Sequence, residues 1–193
     1  SMAASYGLTI QLAMIITTIA NQLMALQLPK MNALQAAGNK TELANVYSLS
    51  VFVAFVLVVV GFCSLILIGN PLLSLINSET KLIDYQWLAL LGLVFLLEAH
   101  HSISATYLTT RNHVPFLKAA LVSGLAVILL SLALVYWGSM GVAGLIIGQG
   151  LVQICFNNWY WPKVAMQHLN ITLMDIFILG TKSVKHIFIK PQK

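Results

Sequence analysis

The chain has 193 residues, of which 59% are hydrophobic and only 8% charged, with a formal net charge of +5. Ordinary soluble domains carry about 25% charged residues, so too few polar side chains remain to cover a soluble surface, and lipid is the natural solvent for most of this chain. The charge is no nucleic-acid footprint: Lys and Arg are thinly spread, and their densest group is a tail of Lys182, Lys185, Lys190 and Lys193, which suits an anionic membrane face.

Five stretches can span a bilayer, which takes about 20 mostly apolar residues per helix. The first, about 6–28, is the most polar, with Thr9, Gln11, Thr17, Thr18, Asn21, Gln22 and Gln27, and is expected to stop at Pro29. The second, about 47–69, is the most purely apolar and is expected to close at Gly69-Asn70-Pro71. Residues 70–84 then hold a short apolar piece, PLLSLI, of re-entrant or interfacial character. The third stretch covers about 85–109, and Arg111-Asn112-His113 separates it from the fourth, about 114–137. Gly138-Ser139 turns the chain into the fifth, about 142–161, which ends at Pro162. Cys63 and Cys155 fall inside apolar runs and are expected as small buried residues rather than a disulfide or metal pair. Residues 171–188 are too short in apolar content for a comfortable span, so an interfacial amphipathic helix is preferred over a short sixth span. The fold class expected is therefore all-α: a polytopic membrane helix bundle of five transmembrane helices over residues 1–169. An interfacial helix and basic tail follow over 170–193.

Loop charge orients the bundle, because Lys and Arg concentrate on the cytoplasmic side. Lys30 and Lys40 lie between the first two stretches, Arg111 and Lys118 around the third break, and Lys163 with the lysine tail after the fifth. These alternate correctly, which puts the N-terminus of the chain outside, in the periplasm for a bacterial inner membrane, and the C-terminus in the cytoplasm. A chain that starts outside with a polar first span and almost no flank is expected to lack a preceding helix or more.

Glu98 stands deep in the third stretch, where a carboxylate is costly unless it faces protein or a water-filled cavity. His101, three residues on, shares its helical face, as does Ser102; His100 points elsewhere. Such an acid can couple proton movement to conformational change or bind a cationic or hydroxyl-rich substrate; its alternative role is interhelical packing. In the first stretch Gln11, Thr18 and Gln22 form one polar stripe, and Thr17 and Asn21 an adjacent one, expected to face the bundle interior or a cavity. Amides there can contact sugar hydroxyls or serve as interhelical glue. Gln149, Gln153 and Asn157 form a ladder of spacing four in the fifth stretch, beside Gly144, Gly148 and Gly150, which allow close backbone approach on one side. The exit NNWYWP, next to Lys163, reads as an interfacial aromatic belt. No nucleophile triad, metal cluster or phosphate loop is present in the sequence, so neither catalysis nor a cofactor is expected.

The segments ASYGLTIQL, LPKMNALQAAGNKTEL and GVAGLIIGQGLVQICFNNWYWPKV, at 4–12, 28–43 and 141–164, resemble the bacterial polysaccharide flippases of the O-antigen and polysaccharide export type. These belong to the multidrug/oligosaccharidyl-lipid/polysaccharide exporter superfamily. The similarity runs from Ala3 to about Phe188 and implies most of the second six-helix bundle of a MATE-like exporter, its eighth to twelfth helices. It also implies alternating-access movement of undecaprenyl-pyrophosphate-linked oligosaccharide from the cytoplasmic to the periplasmic leaflet. Its partners would be that lipid-linked glycan, membrane lipids, a coupling proton or sodium ion, and a missing N-terminal bundle or complementary subunit. No family motif assigns residues, so the cavity candidates Glu98, His101, Gln22, Asn21, Gln149, Gln153 and Asn157 rest on burial arguments. Lys30 and Arg111 are candidates for a cytoplasmic mouth that attracts pyrophosphate. Three other classes remain open: a proton- or sodium-coupled multidrug exporter, a structural or assembly subunit without transport, and a membrane enzyme that processes glycolipids.

Overall fold

The computed structural model describes residues 2–111 and 115–189, with side chains as far as 186. The expected break at 112–113, the start of the fourth stretch at 114, and Lys190 and Lys193 lie outside the described residues. Every regular element among the described residues is helical: α1 (Met2–Ala36), α2 (Lys40–Ser64), α3 (Asn70–Leu75), α4 (Tyr85–Thr109), α5 (Leu117–Tyr136), α6 (Val142–Cys155), α7 (Asn157–Leu169) and α8 (Leu173–Ile189). Helices satisfy their own backbone groups, the requirement that lipid imposes.

Four helical segments are long and apolar enough to cross a membrane: Met2–Ala36, Lys40–Leu75, Tyr85–Thr109 and Leu117–Tyr136. A fifth exists only if Val142–Leu169 and Leu173–His186, bent by 67°, count as one broken span. The chain is thus an all-helical polytopic membrane bundle, and the stretch expected as a fifth span, 142–161, is divided between α6 and α7. Phe156, with φ −144° and ψ −61°, leaves the helical region and splits that stretch into helices of 14 and 13 residues. The Trp159 indole N–H donates to the Cys155 carbonyl at 3.1 Å, satisfying an acceptor next to the break.

Three prolines and a glycine expected as stops are traversed, Pro162 among them, since α7 runs through it to Leu169. Pro29 lies inside α1, which continues to Ala36. A helix of 35 residues is roughly 50 Å long, against about 30 Å of hydrocarbon, so its last turns project beyond the apolar stretch. There Met31 is fully buried and Leu34 packs on the core, which holds the helix together past the proline. At the other end of α2 the chain winds through a π-helical turn, Leu65–Gly69, straight into α3. Such a turn absorbs a local misfit without ending the helix, and Pro71 falls in the first turn of α3, where its missing N–H is not needed. Asn70 Oδ1 accepts from the Leu82 N–H at 2.8 Å and ties the descending loop back to α3. The true reversal between α1 and α2 falls at Gly38, whose φ of +68° suits glycine. Asn39 then caps α2 by accepting from the Glu42 N–H at 3.1 Å.

The core sits between α2 and α4. Tyr47, Val51, Ala54 and Val58 from α2 meet Leu91, Ala99, Ile103 and Tyr107 from α4, all almost fully buried. Onto them α1 lays Ala13, Ala20, Met24 and Met31, spaced so that one narrow helical stripe faces inward. α7 packs on α4, α8 on α2, and α5 chiefly on α6. The α5–α6 contact is close because Gly144 and Gly148 stand one turn apart. A Cβ on Gly144 would lie 3.1 Å from the Leu134 carbonyl carbon, and one on Gly148 would lie 3.0 Å from the Ser131 Cα. Gly150 faces elsewhere, towards Val94 of α4, so the three glycines serve two neighbours rather than one side.

Three further expectations change. Cys63 and Cys155 are exposed free thiols on the outside of the bundle, because in lipid an apolar residue need not be inside. Trp161, expected in an interfacial belt, is buried with its ring 6.0 Å from Phe116, while Trp159 is exposed. The apolar piece PLLSLI, 71–76, does not follow a break after the second stretch but continues its helical segment as α3. α8 begins just after Asn170, which adopts a left-handed φ of 56°, and its Gly180 sits directly on Phe52 and Ser48 of α2.

Candidate functional site

Glu98 lies past the middle of α4. Val94, one turn earlier on the same face, lies against Gly150 of α6, so the Glu98 face turns towards that helix. The side chain is partly open, 28% exposed, and His101 is 14% exposed. The sequence pairing is realised: His101 Nδ1 approaches Glu98 Oε1 at 3.4 Å. The approach lacks hydrogen-bond geometry, and both Glu98 Oε2 and His101 Nδ1 are buried without a hydrogen-bond partner among the described residues. Asn21 Oδ1 on α1 is in the same position. A buried polar atom left unmet costs about 1–3 kcal/mol, so these three atoms call for water, an ion or a ligand group.

The remaining candidates divide. Gln11, Thr18 and Gln22 do share a face, but it is exposed and turned away from the bundle core. Thr17 and Thr18 back-bond to the Ala13 and Met14 carbonyls, each at 2.8 Å, which leaves the amides as the open groups of this surface. Thr9 is different: its hydroxyl accepts from the Ile83 N–H at 3.2 Å and anchors the start of α1 to the entry of α4. Gln149 and Gln153 are half-buried in α6. Asn157 is buried and fully engaged: its amide donates to Ser123 Oγ and to Gln153 Oε1, both at 2.8 Å, and its carbonyl oxygen accepts from Trp161 Nε1 at 3.0 Å. That residue stitches α5, α6 and α7 together across the Phe156 break, which is a packing role. Among the described residues no hydrogen bond joins Glu98 to the α6 amides.

Lys30 and Arg111 do not converge. Lys30 pairs with Glu42 at 3.0 Å in a groove between α1, α2 and α8. Arg111, at the end of α4, borders two hollows, one with Tyr160 and Trp161 and another with Asn32, Gln35 and His168.

Sequence reasoning missed a second polar system. Tyr47 of α2 is fully buried, and its hydroxyl meets Ser104 Oγ at 2.8 Å and His100 Nε2 at 3.3 Å. Ser104 Oγ also donates to the His100 carbonyl at 2.7 Å. One turn on, the Tyr107 hydroxyl meets His168 Nδ1 of α7 at 2.6 Å, and the Tyr47 and Tyr107 rings lie 5.4 Å apart. His100, Ser104 and Tyr107 follow each other by four and three residues on α4, a helical stripe that was legible; what was not legible is that α2 and α7 bring tyrosine and histidine to it. α4 therefore carries two polar faces. One, through His100, Ser104 and Tyr107, is closed by protein. The other, through Glu98 and His101, is left partly unmet. No family model, no curated protein and no solved structure matches this chain.

Proposed function

We propose that this chain is one bundle of a secondary transporter that moves undecaprenyl-pyrophosphate-linked oligosaccharide across the bacterial inner membrane by alternating access. The observation that carries the proposal is the outward-turned polar surface of α1. Gln11, Thr18 and Gln22 are exposed within a segment long and apolar enough to cross a membrane. Exposed amides at that depth are unfavourable against lipid and favourable against water or a hydroxyl-rich head group. The resemblance of segments 4–12, 28–43 and 141–164 to polysaccharide flippases suggests the substrate class. In this reading α1 lines one wall of a cavity whose opposite wall belongs to a second bundle, on the same or another polypeptide. Lys30 of α1 and Arg111, two residues past α4, face the cytoplasm. Glu98 and His101 bind the head group or carry the coupling proton. No catalytic residue, metal or cofactor takes part.

The test is Glu98→Gln (E98Q) expressed together with its complementary bundle in a glycan-exporting cell. Export of the surface glycan falls while the amount of inserted protein stays unchanged. Normal export over a range of pH would remove Glu98 from the mechanism. Cation efflux without a glycan phenotype would move the chain to the multidrug exporters, for which the Glu98–His101 pair is equally suitable chemistry.

A further inference from the structure

The groove between α1, α2 and α8 has a different character from the Glu98 face. It has a volume of about 720 Å3 and is lined by polar groups of all three helices beside an apolar wall. That volume is within the range of about 300–1,000 Å3 common for small-molecule sites. Its lining is graded along the bundle axis. Lys30 stands just beyond the apolar stretch of α1, and Glu42 and Asn45 stand just before that of α2, so the polar groups gather at the membrane boundary. Val46, Leu49 and Leu179 form the adjoining wall on the apolar side. From α8, Leu179, Lys182, Ser183 and His186 are spaced three, four and seven apart and thus present one continuous face. α8 is held there by Gly180 on Phe52 and by the Phe177 ring, which lies 6.2 Å from Phe52 and 6.0 Å from Phe55.

Charge selects the occupant. Lys30 is matched by Glu42 at 3.0 Å, and Asn45 also donates to Glu42, at 3.2 Å. Lys182 and His186 face the same space without an ion pair among the described residues. Beside them are the Ser183 hydroxyl and the Gln27 amide, both capable of donating hydrogen bonds. A cationic, donor-rich rim on an apolar wall matches a phosphodiester carried on acyl chains. We infer that this groove binds the headgroup phosphate of an anionic glycerophospholipid, with the acyl chains against Val46, Leu49 and Leu179. The Lys30–Glu42 pair forms its floor, and Lys182 is its principal anion contact. The inference stands whether or not the chain belongs to a glycan transporter.

The test is native mass spectrometry of the purified chain in detergent, titrated with phosphatidylglycerol, with phosphatidylcholine of the same acyl chains, and with inorganic phosphate. One phosphatidylglycerol is retained in preference to phosphatidylcholine. Lys182→Gln weakens its retention about fivefold, the effect of one lysine near an anionic headgroup. Glu42→Gln strengthens it by a similar factor, an increase that a purely structural role for the acid does not produce. Lys118→Gln, on the exposed start of α5, leaves retention unchanged, and circular dichroism on each variant reads helix content. Equal retention of the two lipids overturns the inference, as does unaltered retention in Lys182→Gln. Weaker retention in Glu42→Gln, or displacement of the lipid by equimolar inorganic phosphate, overturns it equally.

Discussion

α4 and α5 are neighbours in sequence, both helical and both long and apolar enough to cross a membrane, yet they live in opposite surroundings. Eleven residues of α4 are buried, against Ser131 alone in α5. On α5 Leu121, Val122, Leu125, Ile128 and Leu129 are all exposed, while the buried set of α4 includes His100, Ser104 and Tyr107. The polar-bearing helix is central and the mainly apolar one is peripheral. This inverts the rule for water-soluble proteins, and the reason is the solvent. Lipid tails are as apolar as leucine, so leucine gains little by leaving them, whereas small and polar side chains gain close packing and hydrogen bonds only against protein.

The comparison can be broken where α5 touches the rest. Its attachment to α6 depends on the two small residues that admit its backbone. Gly148→Leu forces the helices apart at Ser131 and costs about 1–3 kcal/mol by overpacking, read as earlier unfolding of the reconstituted chain in a denaturing-detergent titration. Gly124→Leu, on an exposed part of α5 with nothing within 4 Å, stays within about 0.5 kcal/mol of the parent. Equal losses at the two positions would mean that α5 is held by something other than the glycine contact.

A smaller effect sharpens the α4 side. Tyr47→Phe removes the hydroxyl that meets both Ser104 and His100 while keeping the ring against Tyr107. The loss expected is about 1 kcal/mol, since hydrogen bonds between membrane helices average less than in isolation and a buried partner is left behind. The same titration reads it, and an unchanged midpoint would show that the buried polar face contributes nothing to holding α2 on α4.

The same solvent logic explains what was legible in the sequence. Helical class and the stretch at 85–109 followed from apolar run length, and α4 occupies those residues. The Glu98–His101 approach followed from a spacing of three, and a close backbone approach at Gly144 and Gly148 from their small size, though not that α5 makes it. Burial was harder, because an apolar run in lipid does not say which side faces protein; Cys63, Cys155 and Trp161 were misplaced for that reason. The stops expected at Pro29, Pro71 and Pro162 do not hold: packing of Met31 and a π-helical turn carry the chain through the first two, and α7 runs through the third. Contacts between distant residues were out of reach: nothing local links Tyr47 to Ser104, or Lys30 across the Gly38 turn to Glu42.

In the proposed arrangement the Gln22 and Glu98 surfaces face water while the α5 surface faces lipid. Thiol labelling in the reconstituted protein tests it most directly, after replacing Cys63 and Cys155 by alanine. Single cysteines at Gln22, Glu98 and Leu125 are exposed in turn to a water-soluble maleimide, which needs a hydrated thiolate to react. Rapid labelling of Gln22→Cys and Glu98→Cys and none of Leu125→Cys is the expected result. Equal protection at all three positions would contradict it.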